Sequence, residues 1–477
     1  MKGYFYPLWK RVSVSPPIRL LPCLLVCLSL LLFLQPVDAN TVVIGTGTGT
    51  LNVSSMTGLN PGDTISINPG TYSWCQFQNL NGVTIINNGG LVTFTNDLTF
   101  SNNTNVNFTG SGSPSLKYGF YASNTTSDVI LTFGSFTGCT WSNMEFVNCT
   151  GSNGVINAQN NMIQYDGVNN NTKEYYLCKF TNMHLSGCGG LIGNFKGPFY
   201  NVIDSTEFSY VVVDNATGPT QINYYGMYRA DIHHWKLNGI TSWQNQDVGS
   251  FMINGTVKLH DNIRSGVQWG WMIRLNMQAL NGNGDSYIYN NICTGGISYG
   301  FIDYRLAAST TGTPFTGGGN IYVYNNTVGN CQNQNGYATS VFLDYGHPGF
   351  IADVRNNLRF HSTNYGGIAD SVSVINFGPT GNTIYSSNNM YYANPITSGV
   401  LVDTVNFYEQ AGSPTIDAGM TIPWVKDDFG GISRPQGAAY DVGAREYNQN
   451  SPPPVNKAPV AITGPSQTIT LPTNTVT

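Results

Sequence analysis

The sequence predicts an all-β solenoid of short parallel strands, and three observations predict it. Charged residues make up only 9% of the 477-residue chain, which carries 55 glycines; such a composition suits stacked strands and tight turns and leaves little material for helices. The segments CTWSNMEFVNC at 139–149 and CKFTNMHLSGC at 178–188 share one pattern, Cys-x-aromatic-Ser/Thr-Asn-Met-x-apolar-x-x-Cys. That register continues: with Trp141 and Phe180 as anchors, equivalent positions fall at Ile203, Ile232, Leu259, Ile288, Val323 and Val354, with Ser386 in the final slot. Fixed strand cores joined by loops of variable length produce this irregular spacing.

The amino-terminal element stands apart from the repeat. Lys2, Lys10, Arg11 and Arg19 precede the apolar run LLPCLLVCLSLLLFL, which ends in Val37-Asp38-Ala39, so residues 1–39 read as a secretory signal peptide. A signal anchor is the alternative, although fifteen apolar residues are short for a bilayer span. Without residues 1–39 the chain keeps 16 basic and 24 acidic residues and no basic stretch. This charge balance argues against a nucleic-acid partner. Seven cysteines remain, Cys75, Cys139, Cys149, Cys178, Cys188, Cys293 and Cys331, at spacings that match no zinc pattern. Stacking of Cys139 on Cys178 and Cys149 on Cys188, bonding within each segment, and reduced thiols all fit the spacing.

After each anchor comes a polar corner: Asn143, Asn182, Ser205, His234, Asp261 with Asn262, Asn290 with Asn291, Asn325 with Asn326, Asn356 with Asn357, and Asn388 with Asn389. Asparagine tolerates the left-handed backbone, so the column marks one bend repeated per coil. A second strand core follows, of the form apolar-apolar-polar: VIN at 155–157, MIN at 252–254, MIR at 272–274, FID at 301–303, FLD at 342–344 and VIN at 374–376. This organisation resembles the right-handed parallel β-helix of pectate lyases and many secreted bacterial polysaccharide-acting proteins, over roughly residues 60–395. A β-sandwich array is the competing architecture, and sandwiches seldom repeat one corner nine times.

Two further segments complete the chain. SPTIDAG at 413–419 and DDFGGISRPQGAAYDVGAREY at 427–447 resemble the closing segment of bacterial surface β-helix proteins, which is expected to tie down the open end of the solenoid. SPPPVNKAP is a stiff proline-rich linker, and the residues after it resemble the first strands of a PKD-type immunoglobulin-like domain. The expected boundaries are 1–39 signal peptide, 40–395 β-helix, 396–448 closing segment, 449–458 linker and 459–477 partial immunoglobulin-like domain.

Alternation along YGFIDYRL places Ile302 with the core and assigns Asp303 and Arg305 to the outer face. Carried along the repeat, this exposes a polar ladder of Asn157, Asn194, Asn254, Arg274, Asp303, Asp344 and Asn376. An apolar column of Val155, Ile192, Met252, Met272, Phe301, Phe342 and Val374 runs beside it. Asp303 and Asp344 on adjacent coils would set two carboxylates near the separation used by glycosidases. The expected catalytic residues are Asp303, Asp344 and Arg305, with Arg274, Asn254, Phe301, Phe342, Tyr345 and His347 binding substrate. In a lyase the two aspartates would instead hold calcium, and Arg305, Tyr345 or His347 would take the proton. A non-catalytic glycan-binding face and a purely structural ladder are equally compatible with the pattern.

A second cluster joins Asp231, His233, His234 and Lys236, in which Asp231 and His233 share a face and His234 falls in the corner column. No paired-aspartate plus Gly-His-Gly pattern is present, nor Trp-Ile-Asp-His, nor Arg-x-Pro-x-x-Arg, so the fold does not bring an activity with it. The expected function is a secreted monomer that binds extracellular polysaccharide, with cleavage by a lyase or glycoside-hydrolase route left open; the alternative is an adhesin-like surface protein without chemistry.

Overall fold

Short runs rich in β-branched and aromatic residues, with burial alternating along them, form nearly every element; Thr206–Asp214, TEFSYVVVD, buries Phe208, Val211 and Val213. The computed structural model describes residues 39–54, 56–125, 129–150, 155–158, 173–193, 202–217, 220–238, 247–265, 271–277, 285–294, 300–306, 320–329, 342–344, 351–360, 374–376 and 383–448. Among them are 34 strands and no helix, and every strand pairs in parallel with strands of neighbouring coils. The chain is an all-β parallel β-helix.

Three sheets run the length of the solenoid. The first leads from Thr41–Ile44 through 140–142, 179–181, 206–209, 230–233 and 257–260 to Ser286–Tyr289, Ile321–Tyr324, Ile351–Arg355 and Thr383–Ser387. The second includes Phe120–Ser123, Lys236–Asn238, Ile292–Thr294 and Met390–Tyr392. The third includes Ile130–Phe133, Ile156–Ala158, Trp271–Met277, Gly300–Leu306, Phe342–Asp344 and Val374–Asn376. The core fills the space between them, and its aromatic residues stack coil on coil: Trp141 on Phe180 at 4.9 Å and Phe180 on Phe208 at 5.1 Å between ring centroids.

This stack corrects one anchor. The strand pairings align Trp141, Phe180, Phe208, Ile232 and Leu259, so Phe208 and not Ile203 occupies the third position. Ile203 instead pairs with Tyr175 in a short neighbouring strand, Val202–Asp204, that the sequence pattern merged with the anchor strand. The corner column is therefore Asn143, Asn182, Tyr210, His234, Asp261, Asn290, Asn325, Asn356 and Asn388, all with φ between 51° and 57°. Ser205 also has positive φ but belongs to the bend before the first-sheet strand.

The asparagines that follow these corners point inward and link coil to coil. Buried Asn262, Asn291, Asn326 and Asn357 and half-buried Asn389 form a ladder in which each of the first four amides donates to the side-chain oxygen of the next, at 2.8–3.0 Å. Each also donates to the carbonyl of the first-sheet residue one coil back, which satisfies the polar groups that burial would otherwise orphan.

The closing segment does not lie over the open end. Residues 400–446 return along the flank, where Val400, Leu401, Phe407, Val442 and Ala444 cover Ile292, Leu358 and Phe360 of the second sheet. The outward side chains of the corner asparagines hold it: Asn290 donates to Asp427 O at 2.6 Å, Asn325 to Asp441 O at 2.9 Å, Asn356 to Met420 O at 2.8 Å and Asn388 to Ala418 O at 2.9 Å. Arg434 and Glu446, fully buried, pair at 2.7 Å.

The six described cysteines are free thiols and buried, and Cys331 lies outside the described residues. The segments read as signal peptide, linker and immunoglobulin-like start also lie outside them. Among the described residues no helix is long and apolar enough to cross a membrane.

Candidate functional site

Because Phe208, Ile232, Leu259, Ile288 and Val323 are buried, their sequence neighbours point outward from the first sheet. The parallel register stacks these neighbours into two ladders. One carries Lys179, Glu207, Asp231, Lys258, Tyr287 and Tyr322; the other carries Thr181, Ser209, His233, His260, Tyr289 and Tyr324. Titratable groups concentrate on three successive coils, at Glu207, Asp231 with His233, and Lys258 with His260. Beside those same coils the asparagine corner column is interrupted by Tyr210, His234 and Asp261, at φ of 53°, 56° and 55°. A tyrosine in the left-handed region is a costly choice where asparagine serves six other corners.

The two histidine rings stack at 5.0 Å with planes 8° apart, and their surroundings push them in opposite directions. His260 donates from Nε2 to Asp231 Oδ1 at 2.9 Å and from Nδ1 to Asp261 Oδ2 at 2.6 Å, which requires the imidazolium. Burial alone would lower its pKa; the two carboxylates outweigh burial and raise it from 6.5 to about 9. His233 lies with Nδ1 2.7 Å from His234 Nδ1 and Nε2 3.4 Å from Glu207 Oε1. Burial and the charge of His260 hold its pKa below the ordinary histidine value, so the ring stays neutral. Both acids remain ionised. Burial resists this in each, but Lys179 at 2.8 Å and Ser209 at 2.7 Å hold Glu207 below its usual range, and His260 does the same for Asp231. Environments that separate the pKa values of neighbouring groups mark acid–base sites.

Aromatic residues continue the face past the histidines. Tyr289 stacks on His260 at 4.7 Å, and Tyr287 stacks on Tyr322 at 5.1 Å. On the other side Tyr210, 53% exposed, stacks on His234 at 4.6 Å.

The residues expected to form the site behave differently. Phe301, Val155 and Ile192 are buried, not part of an outer column: where the chain turns into the third sheet, two consecutive side chains enter the core, as Val155 and Ile156 also do. The backbone pairs Asp303 with Arg274 on one side and Leu343 on the other, whereas Asp344 pairs with Tyr304. Asp303 and Asp344 thus sit on adjacent coils but one residue out of register, because FID and FLD do not align letter for letter. Asn254, Arg305 and Phe342 lie in described strands, and Tyr345 and His347 fall outside the described residues. In the second cluster Asp231 bonds His260, not His233. Sequence reasoning missed His260, Glu207 and Tyr210. The signal for His260 was present, since it follows anchor Leu259 as His233 follows anchor Ile232. Among the described residues no group of three or more His, Cys, Asp or Glu is arranged to hold a metal ion.

No protein-family model matches the chain, and no curated protein matches it. Among solved structures it is similar to the pectate lyase Pel9A, at 16% identity and a TM-score of 0.32, over 83% of this chain and 90% of that one. It is also similar to the periplasmic alginate epimerase AlgG, at 9% identity and a TM-score of 0.26, over 74% and 85%. The class rests on the coordinates themselves: a parallel β-helix whose first sheet carries a polar and aromatic outer face.

Proposed function

We propose that the chain is an extracellular polysaccharide lyase that binds a glycan on the outer face of the first sheet, with His233 as the base that abstracts a proton from the sugar. The observation that carries this reading is the neutral His233 ring stacked on the cationic His260 ring, beside three corners where asparagine has been replaced. Hydrolysis of a glycosidic bond needs a protonated acid at the leaving oxygen. Glu207 and Asp231 are both held ionised, so neither carboxyl fills that role, and both N–H groups of the cationic His260 are already donated to Asp231 and Asp261. Elimination needs a neutral base and fixed positive charge for the developing oxyanion, and His233 with His260 and Lys258 supplies both: His233 takes the C5 proton, the C4=C5 double bond forms as the C4–O bond breaks, and the leaving oxygen takes that proton back from the His233 imidazolium. The signal-peptide pattern at residues 1–39 supports an extracellular location.

The test is to incubate the chain with pectin, alginate and glucuronoxylan, following the ultraviolet absorbance of unsaturated ends and, separately, new reducing ends. The expected result is an unsaturated product whose rate drops by about 100-fold or more in His233→Gln. Reducing ends without unsaturation would make the chain a hydrolase, and binding without either signal would make it an adhesin-like glycan-binding protein; each overturns elimination.

Asp303, Asp344 and Arg305, with Arg274, Asn254, Phe342, Tyr345, His347 and calcium, remain the second reading, favoured by the register pairing of Asp303 with Arg274. Asp303→Asn, Asp344→Asn and chelation decide it in the same assay. Full activity in all three removes that site.

A further inference from the structure

The closing segment carries one aromatic ring to the face it flanks. Trp424 lies 5.0 Å from Tyr287, 5.2 Å from Tyr289, 5.3 Å from Tyr324 and 6.4 Å from Tyr322, between ring centroids. These four tyrosines form a square, two ladder positions on two adjacent coils. The indole ring meets three of them at 76–84° and so lies across their edges. It is nevertheless 39% exposed, an unusual share for a large ring with four aromatic neighbours, and Ile422 and Val425 on either side of it are buried. The backbone around Trp424 is therefore anchored while part of its ring is left to solvent.

Tyr210 mirrors it at the other end. Its ring contacts His234 and His233 and is 53% exposed, and it occupies a left-handed corner that the repeat otherwise gives mostly to asparagine. Tyr210 precedes the coil of His233, and Trp424 covers the two coils after that of His260. With coils about 4.8 Å apart, the two rings are separated by roughly 15–19 Å along the solenoid axis. A pyranose presents an apolar face of axial C–H bonds to a flat ring, and a polysaccharide presents one at each residue.

We propose that Tyr210 and Trp424 are the two ends of one binding cleft. A polysaccharide chain of at least about four sugars runs along the solenoid axis, stacks on both rings and passes the histidine pair between them, so that the enzyme cuts within chains rather than at their ends. This rests on the reading of the first-sheet face as the active face. It also makes the closing segment a contributor to the site.

Affinity electrophoresis of the full chain in gels containing pectin, alginate or glucuronoxylan measures binding without needing turnover. Tyr210→Asn restores the residue of most other corners and is expected to keep the wild-type melting temperature, whereas Trp424→Ala removes a ring packed on four tyrosines, so its retardation is read well below its own melting temperature. Each should weaken retardation by about tenfold, while His233→Gln should retain it and lose only turnover. In digests the wild type should release mixed oligosaccharides early, and disaccharide should not bind. Wild-type retardation in both aromatic variants, or a loss in only one of them, overturns the two-ended cleft while leaving the His233 reading intact. No retardation of the wild-type chain in any of the gels overturns both.

Discussion

Asparagine at a left-handed corner satisfies its own backbone at low cost, and each departure from it records a competing demand. Tyr210, His234 and Asp261 are three consecutive departures, and all three touch His233 or His260. Asp261 has a direct chemical consequence, because it is one of the two carboxylates that keep His260 charged. The folded pKa of His260 is raised from 6.5 to about 9, so its stabilising ion pairs are complete below 6.5 and are lost as pH rises through 9. Activity should follow a bell, with an alkaline limb near 9 from His260 and an acid limb below 6.5 from His233. Asp261→Asn should move the alkaline limb down, as measured by kcat/KM against pH; an unmoved limb would detach His260 from the chemistry. Part of this was legible in the sequence. Asp231, His233 and His234 stand out as a charged run in a chain poor in charge, but His260 lies 27 residues away and joins them only through the coil register.

At the scale of the element, the inner asparagine ladder decides whether later coils stay in register. Asn326 donates to Ile288 O, Tyr324 O and Asn357 Oδ1 and accepts from the backbone and side-chain amides of Asn291. Asn326→Ala would orphan several buried polar groups at once, and a loss of roughly 3–5 kcal/mol is expected in denaturant unfolding. A loss below about 1 kcal/mol would mean that the ladder is ornamental. The Asn-Asn pairs at 290–291, 325–326 and 356–357 mark the bend in the sequence, but only the structure separates the first residue of each pair, which takes the left-handed turn, from the second, which turns inward. The error at Ile203 shows the limit of such reading. Val202–Asp204 and Thr206–Asp214 are both apolar and adjacent, and only the ring stack of Trp141, Phe180 and Phe208 tells which strand continues the first sheet. The slip between Asp303 and Asp344 has the same origin: composition locates a strand, while pairing register is set by the packing of neighbours.

Across the whole molecule the closing segment joins four coils into one body. Its buried centre is Arg434, which bonds Glu446 Oε1 and Gly443 O. Glu446→Ala would leave the guanidinium without its charge partner, at a cost of about 3–5 kcal/mol, and should uncover Leu358 and Phe360. A lower melting temperature with increased dye binding to exposed apolar surface is the expected readout; unchanged melting would show that the segment is held by its apolar contacts alone. The sequence motif suggested a segment that ties down the open end; the contacts with Ile292, Leu358 and Phe360 were not legible, because they depend on the outer faces of strands up to 150 residues earlier.

The return path also sets how the solenoid is carried. After running back along the flank, the described chain ends next to Arg434, whose Nη2 donates to Asn290 at 3.3 Å, several coils before the last strand, Met390–Tyr392. Glu446 and Tyr447 therefore lie against the side of the solenoid, at Arg434 and Asp441, and not at its tip. A tether attached there would lay the molecule lengthwise against whatever it is anchored to, with the long axis of the cleft parallel to that surface.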